Sequence, residues 1–313
     1  MSNVLITGGA GFIGSNIAHA LIARGDSVRI LDDLSSGRRV NLVGIEDDVE
    51  LIVEDMRNTE AVNAAMRGID YVFHQAAMPS VIRSVEEPAL SHDVNVNGMM
   101  NVLEAARANG VKRLVYAASS SAYGETPVLP KVENMAPQPL SPYGVAKLVG
   151  EYYCKAYHYV YGLECVALRY FNVFGPRQAP DSAYAAVIPK FITMMDRGES
   201  PTVNGDGQHT RDFCFIENVV QANLLALEAE AAPGNVYNVA CGERTSLLDL
   251  IDAINEGLGT SIAAVHGPPR AGDIRDSLAD ITAARIDLGY TSPVSFRDGL
   301  KRTIAWYREN PNG

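Results

Sequence analysis

Residues 3–14 read NVLITGGAGFIG, and the reading of that stretch decides the fold. Five residues of β type run into Gly8, Gly11 and Gly14, spaced three apart, and an apolar periodicity predicts a helix over residues 12–24. Strand, glycine turn and helix follow one another in the order that a dinucleotide-binding fingerprint requires. Glycines let the backbone turn tightly and come close to a pyrophosphate, whose charge sits well against a helix N-terminus.

The next apolar run, SVRILDD, carries Asp32 at its C-terminal end, 18 residues beyond Gly14. A carboxylate at that strand end accepts both hydroxyls of an adenosine ribose and repels a 2′-phosphate, which favours NAD over NADP. Arg38 and Arg39 stand close enough to keep NADP as the alternative. Strand-like runs recur at VELIVED, ending at Asp55, and at IDYVFHQAA, ending in Gln75-Ala76-Ala77. A long helix is expected from about Glu86 to Asn109, followed by a fifth strand, RLVYAASS. Strands alternating with helices build a parallel sheet, and ligands gather at the carboxyl ends of its strands. Asp32, Asp55, Ala76 and Ser119 all fall at such ends.

Bulk composition narrows the function classes. The 313 residues suffice for one large domain or two unequal ones, and 47% hydrophobic content suits a soluble globular protein. No apolar run approaches the roughly 18 residues that span a bilayer, and MSNVLIT lacks the charged start and cleavage site of a secretory signal. Cys154, Cys165, Cys214 and Cys241 show no paired spacing, so free thiols in a reducing cytoplasm are expected. Six scattered histidines show no metal-ligand spacing. A net charge of −11 argues against nucleic acid as a partner.

Ser119, Ser120 and Ser121 close the fifth strand, and Tyr143 and Lys147 follow on a helix that opens at LSPYG. Ser141 is the expected N-cap and Pro142 suits the first turn. A spacing of four sets phenol and ammonium on one helical face. The ammonium is expected to draw the tyrosine pKa down from about 10, leaving a base that takes a proton from an alcohol as hydride departs to a nicotinamide. Beyond residue 170 the alternation loosens, and Arg211 and Arg270 lie in glycine-rich loops from which two guanidinium groups could clamp a diphosphate.

Three later segments, RYFNVFGPR (169–177), NGDGQHTRDF (204–213) and RAGDIRDSLAD (270–280), join GGAGFIG, the strand-end serines and Tyr-x-x-x-Lys. Together they resemble the extended short-chain dehydrogenase/reductase superfamily, and most closely its nucleotide-sugar 4-epimerases acting on UDP-glucose or UDP-N-acetylglucosamine. The resemblance spans essentially the whole chain. It implies an α/β fold: a Rossmann-type doubly wound parallel sheet in residues 1–170, with some later segments returning to it, and a smaller α/β substrate-binding lobe mainly in 171–313.

It also implies NAD held by Gly8, Gly11, Phe12, Ile13, Gly14, Asp32, Asp33, Asp55, Met56, Gln75, Ala76, Asn95, Tyr143, Lys147 and Tyr170. Catalysis is assigned by resemblance to Ser119, Tyr143 and Lys147, with Ser120 the second choice for the hydroxyl. A UDP-sugar would meet Ser119, Ser120, Tyr143, Asn172, Ala186, Val187, Thr202, Asn204, Arg211, Arg270, Asp273 and Ser277. Ser277 stands where glucose-restricted relatives usually carry tyrosine, leaving room for an N-acetyl group. The implied reaction is reversible inversion at C4 of a UDP-hexose through a transient 4-keto sugar. The alternative is a nucleotide-sugar 4,6-dehydratase or another enzyme of the same superfamily. A cytoplasmic homodimer, paired through helices near 86–109 and 143–161, completes the expectation.

Overall fold

The computed structural model describes residues 1–180, 186–268 and 275–310. The first half alternates as expected: β1 (Asn3–Thr7), α1 (Phe12–Arg24), β2 (Ser27–Asp32), β3 (Val49–Val53), α2 (Thr59–Ala65) and β4 (Tyr71–His74). The long helix expected over 86–109 is instead three helices, α3 (Val81–Glu86), α4 (Pro88–His92) and α5 (Gly98–Ala108), with one π-type turn at Asp93–Asn97. Two local causes account for the breaks. Pro88 has no N–H to continue α3 and restarts the chain as the first residue of α4. The π turn carries Asn95, whose amide brackets Met78 after β4, accepting its N–H at 2.8 Å and donating to its carbonyl at 3.2 Å.

Then come β5 (Arg113–Ser119), a 3-10 turn at Ser120–Tyr123, α6 (Pro142–Tyr161) and β6 (Glu164–Tyr170). The Ser141 hydroxyl accepts the Gly144 N–H, Pro142 occupies the first turn, and Gly162 ends α6 in a left-handed conformation, so both signals at its start act as expected. Shorter pieces follow: β7 (Val173–Phe174), α7 (Val187–Asp196), β8 (Thr202–Asn204), β9 (Thr210–Arg211) and β10 (Cys214–Phe215). The chain continues through α8 (Ile216–Glu228), β11 (Val236–Val239), β12 (Thr245–Ser246), α9 (Leu247–Leu258), β13 (Val265–Gly267) and α10 (Phe296–Glu309).

Seven strands form one parallel sheet in the order β11-β6-β5-β4-β1-β2-β3. The order reverses between β1 and β4, and such a switch point opens a crevice at the carboxyl ends of the strands. β5 is buried along its whole length, as a central parallel strand covered on both faces must be. Two apolar cores result: one around Leu5, Val72, Leu114 and α5, the other a larger one around Ile6, Phe73, Val115 and α8 that continues beneath α9 and α10. Late in the chain, β11 returns to pair with β6, while β8 with β13 and β9 with β12 make small separate ladders.

Candidate active site

At the switch point the backbone is crowded to a degree only glycine permits. Gly8 adopts φ +71°, and a Cβ there would lie 2.6 Å from the Ala76 nitrogen; one on Gly14 would lie 2.2 Å from the Gly8 oxygen. Gly11 caps α1 with extended backbone and no side-chain acceptor, leaving the amides of the first turn around Phe12, Ile13 and Gly14 without a side-chain cap. Asp32 closes the next strand end, its buried carboxylate accepting the N–H groups of Ala10 and Leu34 at 2.9 Å each. Burial raises its pKa and those two bonds oppose the rise. An anion cradle beside a carboxylate at the adjoining strand end fits the pyrophosphate and ribose of a dinucleotide.

The remaining cofactor positions are engaged within the protein. Asp33 accepts from Ser35, and Asp55 from Arg57, whose guanidinium also reaches Asp93; Arg57 holds the Asp55 carboxyl below its ordinary range. Met56 packs against Gly98. The Ala76 N–H donates to Thr7 Oγ1 at 3.4 Å. Gln75 donates to the Tyr170 hydroxyl at 3.1 Å, and that hydroxyl donates to Asn223 at 2.9 Å. Asn223 has no local sequence signature, and only the packing of α8 on the sheet exposes its role.

Ser119, Tyr143 and Lys147 come together at the carboxyl end of β5. The Ser119 hydroxyl accepts the Ser121 N–H at 3.1 Å and donates to the Ser121 hydroxyl at 3.0 Å, and it stands near enough to the Tyr143 phenol to lower its pKa. The Tyr143 N–H donates to Ser84 Oγ at 3.1 Å, fastening the start of α6 to α3. Lys147 is buried, its ammonium donating to the Ala117 carbonyl at 2.8 Å and standing 5.9 Å from the centre of the Tyr143 ring. Burial lowers Lys147 to about 8 despite the opposing pull of Cys154 and Glu151. The expected depression of Tyr143 does not occur in the chain by itself. Burial pushes the phenol above its ordinary pKa and the Ser119 bond only partly offsets it, because the ammonium is itself desolvated and committed to a strand carbonyl.

Of the substrate positions, Asn172 lies just past the end of β6 and donates to the Asp212 carbonyl at 3.3 Å and to Ser277 Oγ at 3.5 Å. Arg211 donates to the carbonyls of Thr210 and Arg275 at 3.0 and 3.1 Å. Ala186 precedes α7 and Val187 begins it; Thr202 and Asn204 edge β8. Arg270 and Asp273 lie outside the described residues. Asp212, which no local pattern marked, is wholly buried and accepts three backbone N–H groups, from Cys241, Gly242 and Ala279, at 2.9 to 3.1 Å; burial raises it to about 6.

Glycine cradle, strand-end carboxylate and a Ser-Tyr-Lys cluster define an enzyme of the short-chain dehydrogenase/reductase class, built to use a nicotinamide dinucleotide. The chain belongs to the NAD dependent epimerase/dehydratase family, which residues 4–240 match. It is 39% identical to a putative UDP-glucose 4-epimerase of Methanocaldococcus jannaschii, over 98% of this chain and 99% of that one. Among solved structures it resembles the UDP-glucose 4-epimerase of Thermotoga maritima with UDP-glucose (TM-score 0.94, 38% identity, 99% and 100% of the two chains). The UDP-N-acetylglucosamine 4-epimerase of Methanobrevibacter ruminantium, in complex with UDP-N-acetylmuramic acid, is similar at TM-score 0.92 and 39% identity, covering 99% of each chain.

Proposed function

We propose that the protein inverts C4 of UDP-hexoses reversibly through a transient 4-keto sugar, accepting glucose/galactose and their N-acetylated forms. The observation that carries this reading is the meeting of Ser119, Tyr143 and Lys147 at the carboxyl end of β5, in the same parallel sheet whose β1 runs into the glycine cradle. NAD, when bound, supplies a reversible hydride acceptor and a second positive charge. Tyr143 takes the proton from the C4 hydroxyl, Ser119 hydrogen-bonds the same oxygen, and Lys147 stabilises the phenolate. The cradle, Asp32 and the positions around Tyr170 hold the cofactor.

UDP is anchored by Arg211 with Arg270 at the diphosphate, Asn172 beside it, Asp273 at the ribose, and the backbone near Ala186, Val187, Thr202 and Asn204 at the uracil. Anchoring the nucleotide lets the sugar turn without leaving. Ser277 beside Asn172 leaves space at C2 for an N-acetyl group. Residues 1–170 and the returning β11 form the cofactor-binding unit, and most of 171–313 the substrate lobe.

The protein is proposed to work in the cytoplasm as a homodimer; among the described residues no helix is long and apolar enough to cross a membrane. Val145 and Tyr152 on α6 and Val85 on α3 are about half exposed or more, the apolar face such pairing needs. Dehydratases of the superfamily carry an Asp-Glu pair where Ser120 and Ser121 stand, and two hydroxyls do not supply that acid and base. The test is incubation with UDP-glucose, UDP-galactose and their N-acetyl forms, followed by anomeric-proton NMR. Interconversion within each pair supports the reading, and absence of interconversion with NAD present overturns it.

A further inference from the structure

One buried ion pair that this reaction leaves unused begins a chain of contacts. Glu151 stands one turn beyond Lys147 on the same face of α6. Its carboxylate takes both arms of the Arg169 guanidinium from β6, Nε to Oε1 at 2.9 Å and Nη2 to Oε2 at 2.7 Å, with the two side chains 2% and 4% exposed. The Arg169 guanidinium carbon lies 4.6 Å from the centre of the Tyr123 ring, at the end of the turn that Ser119 caps. Tyr123 donates its hydroxyl to Asn238 Oδ1 at 2.7 Å. Asn238 in turn donates Nδ2 to the carbonyls of Lys131 and Asp280, each at 3.0 Å. Lys131 ladders with that last segment, its N–H on the Leu278 carbonyl at 2.8 Å and the Asp280 N–H on its own carbonyl at 2.9 Å. Ser277 is the residue before Leu278.

Stability alone is a poor reason for such a pair. Desolvating two charges costs about as much as their attraction returns, and well-packed apolar replacements are often neutral or better. What a bidentate pair supplies is a fixed distance and orientation. In the sheet, Arg169 lies level with Ala118 of β5 on one side and Asn238 of β11 on the other. It therefore stands beside the strand end that delivers Ser119 while gripping the helix that delivers Lys147.

We propose that Glu151, Arg169, Tyr123 and Asn238 are a positioning network that holds Lys147 and segment 277–280 in one frame, so that the proton-handling centre and the pocket wall bearing Ser277 keep a common register. The role assigned to each end rests on the epimerase reading above. Glu151 acts on Lys147 electrostatically as well. The groups facing that ammonium are His74 from β4, Tyr116 from β5, and Tyr143, Glu151 and Cys154 from α6 itself, and Glu151 is the carboxylate among them.

The test is the double variant Glu151→Leu/Arg169→Met, which removes both members of the pair together and leaves Lys147 without its neighbouring carboxylate, beside the milder Tyr123→Phe. Both are expected to fold with melting temperatures near that of the wild type. Hydrogen exchange of the amides in 277–280 should quicken about threefold or more in each variant, without any substrate present. In the double variant the alkaline limb of kcat should also move to lower pH, while Tyr123→Phe should raise KM and leave that limb in place. A folded double variant with wild-type exchange at 277–280 and an unmoved limb overturns the proposal. Because exchange is read without turnover, a wild type that interconverts no UDP-hexose would sink the epimerase reading and leave the coupling itself decided by exchange.

Discussion

Lys147 bolts helix α6 to strand β5 through the Ala117 carbonyl at 2.8 Å while its ammonium faces the Tyr143 ring 5.9 Å away. Burial acts on the two groups in opposite directions, lowering the ammonium to about 8 and raising the phenol. The enclosure therefore disfavours the charged form of each. A positive charge brought close to the phenol shifts that balance toward phenolate, which is the state a proton acceptor needs.

Tyr143→Phe removes the phenol hydroxyl that faces Ser119 and leaves the ring in place. Turnover is expected to fall by about 10²–10⁴ or more, with UDP affinity by calorimetry nearly unchanged. Retention of most activity would remove Tyr143 from the mechanism.

Turnover should decline as pH rises through about 8, where Lys147 loses its proton. The sign for stability is opposite. The folded pKa lies below the ordinary lysine value of 10.5, so the unfolded chain binds the extra proton between those values and this group's contribution to stability rises across that window. Parallel pH series of kcat and of urea midpoints should diverge there, and a Lys147→Met variant should lack the stability rise.

His74 is buried, bonded to Thr7 Oγ1 at 2.6 Å and stacked 5.7 Å from Tyr116, and burial lowers its pKa to about 3 from 6.5. It contributes stability above pH 6.5 that is lost as pH falls toward 3. Asp212 runs the other way: its pKa rises from 3.8 to about 6, so its contribution is present below 3.8 and lost as pH climbs through 6. In His74→Phe, denaturant midpoints at pH 7 and pH 4.5 should therefore differ less in the acid-destabilising direction than in the wild type, or reverse in sign.

Gly14→Ala places a methyl 2.2 Å from the Gly8 oxygen, a backbone atom that cannot yield without moving the cradle. A loss of about 1–3 kcal/mol in stability is expected, together with loss of NAD binding by fluorescence titration. Unchanged NAD affinity would show that the cradle does not hold the pyrophosphate.

Ser277→Tyr introduces a ring beside Asn172, where Ser277 now meets its amide at 3.5 Å. Interconversion of the N-acetylated pair should fall about tenfold to a hundredfold relative to the plain hexoses, since crowding acts on the larger substituent. Equal losses on both pairs would assign Ser277 to packing alone.

The elements legible in the sequence are those written in local patterns. The stretch 3–14, Asp32 at a strand end, and Tyr143 with Lys147 behind a Ser-Pro start each depend on residues a few positions apart, and each folds where it was expected. Period and capping signals report the nearest turns of chain, so they fix elements and, through βα alternation, the parallel sheet. They do not report which side chain meets which across the molecule. The Tyr170–Asn223 bond spanning 53 positions and the approach of Asn172 to Ser277 across 105 were settled by packing. The same holds for the rise of the Tyr143 pKa on burial, whereas the break of the expected 86–109 helix at Pro88 has a local cause. Desolvation is a property of everything that surrounds a group, and that surrounding exists only once the chain has closed on itself.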